Sequence, residues 1–472
     1  YTLLKSTTLA DVQSPTSADF DNPPGVSIAL SGGTNTTAYL DSSVTNGTNY
    51  YYALRVCDDV TGLCSVAPSS VGPLIPHLPV ISFSLGSKNI VFDWDTDQCE
   101  PLDVPDTFAT AVFTNGELIL SANNAPTVYM RRGTNFSNLN SDCANKSLIS
   151  SQLTTPHGAN NYEWVNAIYK KGTTMYGLVH NEYHDTTSSP LAPCTTSLSP
   201  SNPCWWNTIT LTKSTNNGRT FDAPASPAPT VSSGPLAWNK DTMVNPVTGV
   251  AFPYGQMTPT NIISRNEGGT IYYYSFFFGE HGVGVQNPLT RGICLMRTSN
   301  LDDPSSWRAW NGSSFSLTMS MPYSGSTPAN TGQPNCSYIS LANIATITGH
   351  VTFNTYLQEY IMVGLGAKHD TWDNPLVIKC GMWLSHSKDL ISWTKHKLIF
   401  ESTFSNDSPQ CNNSLDHLSY GSMLDQDQIN DPNDPNFELS DNQFHLYFTI
   451  HNSQTNTLDR DLVRRPLTIT KT

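Results

Sequence analysis

From about residue 80 onward, short apolar runs alternate with Gly-, Asn- and Asp-rich breaks, and the pattern recurs at roughly 60–80 residues. Each unit opens with a short apolar strand, followed by a Gly turn and an aromatic-rich second strand. A third strand follows in most units, and a closing strand often carries Trp. The first unit holds TFATAVF, GELILSA and TVYMRR. The second holds EWVNAIY, TMYGLVHNEYH, NTITLTKS and RTF; the third TNIIS, TIYYYSFFFGEH, GICLMRTS and WRAW. ISLANIATI, YIMVGLG, CGMWLSHS and SWTKHKLIF form the fourth, and YGSMLDQD, NQFHLYFTIH and DLVRRPLTI the fifth. Five such units predict an all-β chain folded as a five-bladed β-propeller over 95–472, whose radial repetition leaves only short, protected edges. A sandwich or jelly roll would also string short strands together, but neither predicts this repeat.

Residues 1–76 follow another pattern. Thr37–Asp41, Val44–Thr48 and Tyr50–Val56 alternate as strands broken by Asn46-Gly47. CDDVTGLCS after them reads as a hairpin stapled by Cys57 and Cys64, and Tyr1–Lys5 reads as an earlier strand. The segment resembles the later part of a fibronectin type III β-sandwich, with its first two strands lacking. VGPLIPHLP, ending at Pro79, reads as a Pro-stiffened linker, and residues 77–94 are expected to be linker and a first propeller strand.

Composition narrows the function classes. Of 472 residues only 13% are charged, while 10 Trp, 20 Tyr and 18 Phe argue against disorder. The net charge of −14 repels phosphate backbones and anionic lipid, so nucleic acid and membrane surfaces are poor partners. No apolar run approaches the ~20 residues of a membrane helix. No secretory leader opens the sequence, which reads as a processed form. The 10 cysteines contain no CxxC pair, which leaves zinc ribbons and thioredoxin motifs without support. Pairing of neighbours would give Cys57–Cys64, Cys99–Cys143, Cys194–Cys204, Cys294–Cys336 and Cys380–Cys411. Five bridges in a Thr/Ser/Asn-rich chain fit an exported, extracellular or periplasmic protein.

In a propeller the first strand of each blade leaves one rim and the second returns to it. Polar residues before the first strand and after the second should therefore converge on one funnel. Asp103, Asp106 and Glu163 stand before first strands. Asn123 and Asn124, the run His180-Asn181-Glu182-Tyr183-His184, Glu280-His281, His369-Asp370 and His451-Asn452 stand after second strands. Asp425, in SMLDQD, joins them. Alternation puts His180, Glu182 and His184 on one face, as three metal ligands, an acid with two orienting imidazoles, or a hydrogen-bonded strand end. HExxH zinc chemistry does not apply, because that spacing needs a helix. A carboxylate beside Pro105 and another across the funnel would make an acid and base pair, given burial or a like charge to separate their pKa values. Trp205, Trp206, Trp238, Tyr254 and Trp372 are either sugar-stacking platforms or loop packing. Converging carboxylates and carbonyls also suit a structural Ca²⁺.

Ser214-Thr215-Asn216-Asn217-Gly218-Arg219-Thr220-Phe221 resembles the Asp-box of sialidase-type propellers, with Asn in place of Asp. The stretches from Ser299 to Trp307 and from Ser387 to Trp393 resemble the S-x-D-L-x-x-W turn of arabinanase and β-fructosidase propellers. With CEPLD-x-PD and HNEYH, the region from about 95 to 470 is similar to secreted propeller hydrolases of glycoside hydrolase families 43, 32 and 117. That resemblance implies a polysaccharide or oligosaccharide substrate, possibly furanose-containing and arabinan-like. It implies Asp106 as base or nucleophile, with Asp103 next to it, and a general acid from a later blade. The third blade opens with MTPTNII and no carboxylate, so Glu182, with Glu163 as modulator or alternative acid, takes that place. His180, Asn181, Tyr183, His184, Asn124, Glu280, His281, His369, Asp425 and His451 would contact substrate. Two other functions fit the same residues: a polysaccharide lyase using the His and Tyr of HNEYH, and a non-catalytic carbohydrate-binding propeller.

Overall fold

The computed structural model describes residues 2–6, 26–29, 50–57, 64–66, 71–74, 81–150, 162–185, 204–222, 230–233, 254–280, 291–318, 336–340, 343–344, 349–370, 374–404, 415–453 and 456–471. The chain divides into two compact units, Tyr1–Ser82 with Thr470–Thr472, and Phe83–Ile469. Among the described residues no helix is long and apolar enough to cross a membrane.

In the first unit the strands Val26–Ala29, Thr2–Ser6, Tyr50–Cys57 and Cys64–Val66 pair antiparallel in that order, and Val71–Leu74 also pairs with Tyr50–Cys57. Leu4 and Ala53 stand opposite each other in register and are buried together. Cys57 faces Cys64 across the hairpin. The expected strands at Thr37–Asp41 and Val44–Thr48 lie outside the described residues.

The second unit repeats one antiparallel meander. Its first group runs Thr110–Thr114, Glu117–Ser121, Arg131–Gly133 and Asn140–Ser141. The second runs Tyr162–Lys171, Thr174–Asp185, Cys204–Ser214 and Thr230–Ser233. The third has Ile263–Glu267, Thr270–Glu280, Arg291–Thr298 and Arg308–Trp310, and Tyr254–Met257 links it to the second by pairing with both. Val351–Asn354, Glu359–Asp370, Asn374–Ser387 and Lys397–Glu401 form the fourth. In the fifth, His417–Leu424, Gln443–His451 and Arg460–Lys471 pair in turn, and the outer place beside Leu462–Arg464 is taken by Asn89–Phe92 from far upstream.

Alternating side chains bury apolar faces between successive groups. Val112 and Ile119 meet Val165 and Val179; Leu178 and Ile209 meet Tyr273 and Met296; Phe276 and Ile293 meet Met362 and Trp393. Phe400 of the fourth group contacts Phe448 of the fifth at 5.8 Å between ring centroids. Leu424 and Tyr447 of the fifth share a buried cluster with Ala111 and Leu120 of the first, which Phe92 joins, so the packing runs in a cycle. Each fully buried Leu, Val or Phe contributes about 1.5–3 kcal/mol.

The segment Asp425–Asp441, which follows the first strand of the fifth group, ties the cycle together at one end. Asp425 accepts from Asp427 N and Asp441 N (3.0 and 2.9 Å), closing the base of the excursion. Pro435 O accepts from Phe113 N of the first group at 2.8 Å. The Asn436 amide brackets Lys170 N and O of the second at 2.6 and 3.1 Å. Glu438 accepts from Tyr169 Oη at 2.8 Å and from Ser264 N of the third group. Leu439–Ser440 pairs in parallel with Phe353–Asn354 of the fourth.

The turn motifs behave as their residues suggest. Asn216 Oδ1 accepts from Thr220 N at 3.0 Å while Ser214 Oγ accepts from Gly218 N at 2.9 Å, and Phe221 is buried. Asp389 likewise accepts from Ile391 N and Ser392 N, with Trp393 buried. Disulfides Cys99–Cys143 and Cys294–Cys336 are present, and Cys380 is also disulfide-bonded. Several expected strands differ. TVYMRR splits: Thr127–Val128 pairs with Leu148–Ile149, and only Arg131–Gly133 joins the sheet of the first group. The second group closes with Thr230–Ser233, not RTF, whose Arg219-Thr220-Phe221 belongs to the turn. The fourth opens with Val351–Asn354, whereas Asn343 and Ile344 donate back to Ser340 O in a turn that buries Ile339 and Ile344.

Candidate active site

Asp106 lies just ahead of the first strand of the first group, and its N–H donates to Asn123 O at 3.2 Å. Its carboxylate forms an ion pair with Arg460, which begins the third strand of the fifth group. The pair is 19% exposed on both sides. Tyr420, from the first strand of that fifth group, has its hydroxyl near enough to Asp106 to act on it, and Glu182 is close enough to act on it by charge. Burial raises the Asp106 pKa above its ordinary value; Arg460 and Tyr420 pull it down, and the Glu182 charge pushes it up.

Glu182 reaches this point from the second strand of the second group, opposite Tyr162 and Asn207 in register. Tyr162, Trp164, His180 and Glu182 share a face because directly opposed residues in an antiparallel pair point the same way. His180 Nε2 is 2.9 Å from Asn207 Oδ1 and 3.5 Å from Glu182 Oε1, and its ring lies 5.5 Å from that of Trp164. Trp164 Nε1 donates to Asn124 Oδ1 at 2.9 Å, while Asn124 Nδ2 donates to Leu102 O at 3.0 Å. These residues wall a cleft of about 370 Å³ lined by Leu102, Asn124, Pro126, Tyr162, Trp164 and Glu182. Two aromatic rings and a single carboxylate suit a sugar face with one proton-transfer group beside it.

Other candidates lie elsewhere. Asp103, 1% exposed, pairs with equally buried Arg131 at 3.2 Å and accepts from Cys99 N at 3.1 Å. Arg131 also donates to Ala122 O and covers the Phe92 ring at 4.0 Å, so this pair ties the first group to the closing strand. Glu163 is 1% exposed and faces Asn181, on the side of the strand pair away from Glu182. Neither of its oxygens has a well-formed hydrogen bond among the described residues; burial pushes its pKa to about 8, offset only in part by Asn181. Tyr183 is fully buried on that same reverse face.

Asp425 sits at the wrong end. Leu424 pairs with His445 and Leu418 with Ile450, so Asp425 and His451 stand at opposite ends of the strand pair, roughly 20 Å apart at ~3.3 Å per residue. Its carboxylate caps the Asp425–Asp441 excursion instead. His451 does lie near the mouth: its Nε2 is 2.8 Å from Ser419 Oγ, it stacks on His417 at 4.6 Å, and it stands opposite Arg460 in register. Burial, with the charges of Arg460 and His417, lowers its pKa to about 3, so the ring is neutral at working pH. For His184, Glu280 and His369 only the backbone is described, opposite Trp205, Arg291 and Ile378 respectively. His281 lies outside the described residues. Among the described residues no three His, Cys, Asp or Glu side chains gather as a metal-binding set.

Tyr420 and Arg460 are the residues that sequence reasoning missed. Third strands start at the rim to which second strands return, so Arg460, paired with His451, was accessible to the same rule had it covered that third position.

No protein-family model matches the chain, and no curated protein matches it. Solved structures show distant likeness. Endo-arabinase from Bacteroides thetaiotaomicron aligns with 11% identity and a TM-score of 0.39, over 81% of this chain and 97% of that one. A family 117 glycoside hydrolase, Zg3597, from Zobellia galactanivorans aligns with 7% identity and a TM-score of 0.41, over 82% and 90%. Trypanosoma rangeli sialidase aligns with 11% identity and a TM-score of 0.38, over 80% and 59%.

Proposed function

We propose that this chain is a secreted glycoside hydrolase acting on a polysaccharide, with a five-bladed β-propeller following a fibronectin type III-like module. One observation carries the reading: Asp106 and Glu182 come from different strand groups, Glu182 is close enough to act on Asp106 by charge, and Glu182 lines an aromatic-walled cleft. Arg460 opposes the rise in the Asp106 pKa that burial causes, which suits a base or nucleophile. Glu182, 13% exposed at the cleft wall, is the general acid, and His180, held by Asn207, orients it. Asp103 and Glu163 stand outside the pair, the first neutralised by Arg131 and the second on the reverse face. Among the described residues the cleft lining carries no cation, and Arg460 is engaged by Asp106, which favours a neutral glycan, with arabinan-like furanose polymers among those to be tried. Elimination through Tyr183 is disfavoured, because that phenol is fully buried.

A digestion screen over neutral and acidic polysaccharides tests this, with reducing-end and ultraviolet-absorbance readouts side by side. New reducing ends without absorbance, lost by several orders of magnitude in both Asp106→Asn and Glu182→Gln, is the expected result. Unsaturated products, or wild-type turnover in either variant, would defeat the assignment. Glycan binding without turnover would point to a non-catalytic lectin-like role.

A further inference from the structure

The first strand of the fifth group does not run regularly past the mouth. Ser419 pairs with Thr449, but the next pair is Ser422 with Tyr447, so Tyr420 and Gly421 together face the single residue Phe448. This is a β-bulge, a device that re-aims one side chain and is common beside active sites. Tyr420 also has φ +54°, in the left-handed region that an aromatic residue rarely adopts. A strained backbone of this kind persists only where its surroundings enforce it, and it gathers at functional sites. Here the enforcement is visible. A Cβ on the neighbouring Gly421 would stand 2.7 Å from Met382 Cε, and the edge of Phe108 meets the Tyr420 ring at 6.0 Å between centroids. A regular strand would have carried the phenol to another face; the bulge brings it to Asp106.

We propose that Tyr420 is a positioning residue for Asp106, held in its strained conformation so that its phenol and the Arg460 guanidinium together fix the carboxylate. This rests on the reading of Asp106 as the base or nucleophile of a hydrolase. Arg460 is itself tethered, its Nε donating to Thr457 O at 2.7 Å, so one donor is charged and anchored and the other neutral and buttressed. Burial and the charges of Asp106 and Glu182 keep the phenol protonated far above working pH. Tyr420 is therefore a permanent donor and not a nucleophile. Approaching from separate strands, the guanidinium and the phenol restrain the carboxylate and oppose the rise in its pKa that burial causes.

Tyr420→Phe removes the hydroxyl and keeps the ring. The decisive readout is the titration of Asp106 in substrate-free full-length protein labelled with ¹³C at Asp carboxyls, its resonance assigned by loss in Asp106→Asn. In folded Tyr420→Phe the Asp106 midpoint moves to higher pH, and the acid limb of any hydrolytic pH profile moves with it, while turnover falls about tenfold. An unchanged midpoint overturns the proposal even if the wild type cleaves glycans. A raised midpoint supports it even if no glycan is cleaved, which would defeat the hydrolase reading alone. Should Tyr420→Phe not fold, the wild type labelled at Tyr ¹³Cζ answers the question. One tyrosine resonance should follow the Asp106 titration and lose that response in Asp106→Asn; absence of any such resonance overturns the proposal.

Discussion

Replacing Glu163 with Gln removes a carboxylate that the fold buries at 1% exposure with neither oxygen well bonded among the described residues. Its folded pKa is about 8, against an ordinary 4.5 for the unfolded chain. The native state therefore keeps a proton that the unfolded state releases. Such a group leaves stability whole below pH about 4.5 and takes it away as pH rises towards 8. At about 1.4 kcal/mol per pH unit, the loss reaches about 3 kcal/mol by pH 7. Gln cannot ionise and has nearly the same shape, so Glu163→Gln should remove this part of the pH dependence. Urea melts of both proteins at pH 5 and pH 7.5 measure it. The variant should equal or trail the wild type at pH 5 and exceed it at pH 7.5. Midpoints that fall in parallel for both proteins would refute the assignment of the slope to Glu163.

Asp103→Asn leaves Arg131 buried without its countercharge and should cost about 3–5 kcal/mol in thermal or urea unfolding, while the folded fraction keeps its specific activity. A melt unchanged from wild type, or an enzyme folded but inactive, would contradict the structural role given to Asp103. Asn436→Ala deletes two hydrogen bonds to the Lys170 backbone and should lower stability by about 1–3 kcal/mol without altering the substrate affinity of the folded protein. Trp164→Ala strips one wall from the cleft and should raise KM several-fold with a smaller change in kcat; an effect on kcat alone would place Trp164 outside ground-state binding.

The strand groups were legible because each carries its own alternation of apolar and polar residues, and because the closing turns have side chains that cap them locally. ISLANIATI misled for the same reason: its isoleucines are buried, but by a turn whose Asn343 side chain donates to Trp393 O, some fifty residues away. Proximity to a strand end singles out Asp106, Glu182 and His180, which the structure brings near one another. It could not tell Asp103 from Asp106, since what separates them is Arg131 for one and Arg460 for the other. Nor did composition distinguish the two ends of a strand, which is why Asp425 was grouped with residues at the far rim. Tyr420 escaped because a bulge, and not the strand's regular alternation, decides where its side chain goes.

The Asp425–Asp441 excursion also fixes when the protein can be finished. During synthesis the first four groups emerge with the apolar sides that will meet the fifth still uncovered, and neither Phe113, Lys170, Ser264 nor Phe353 has its partner yet. Only after residue 440 has left the ribosome can those bonds form, and only after residue 464 can Asn89–Phe92 find the strand it completes. Until then a nascent chain of this design carries exposed apolar faces, and its cycle is completed only at the end, unlike a simple tandem array whose neighbouring repeats are finished as they emerge.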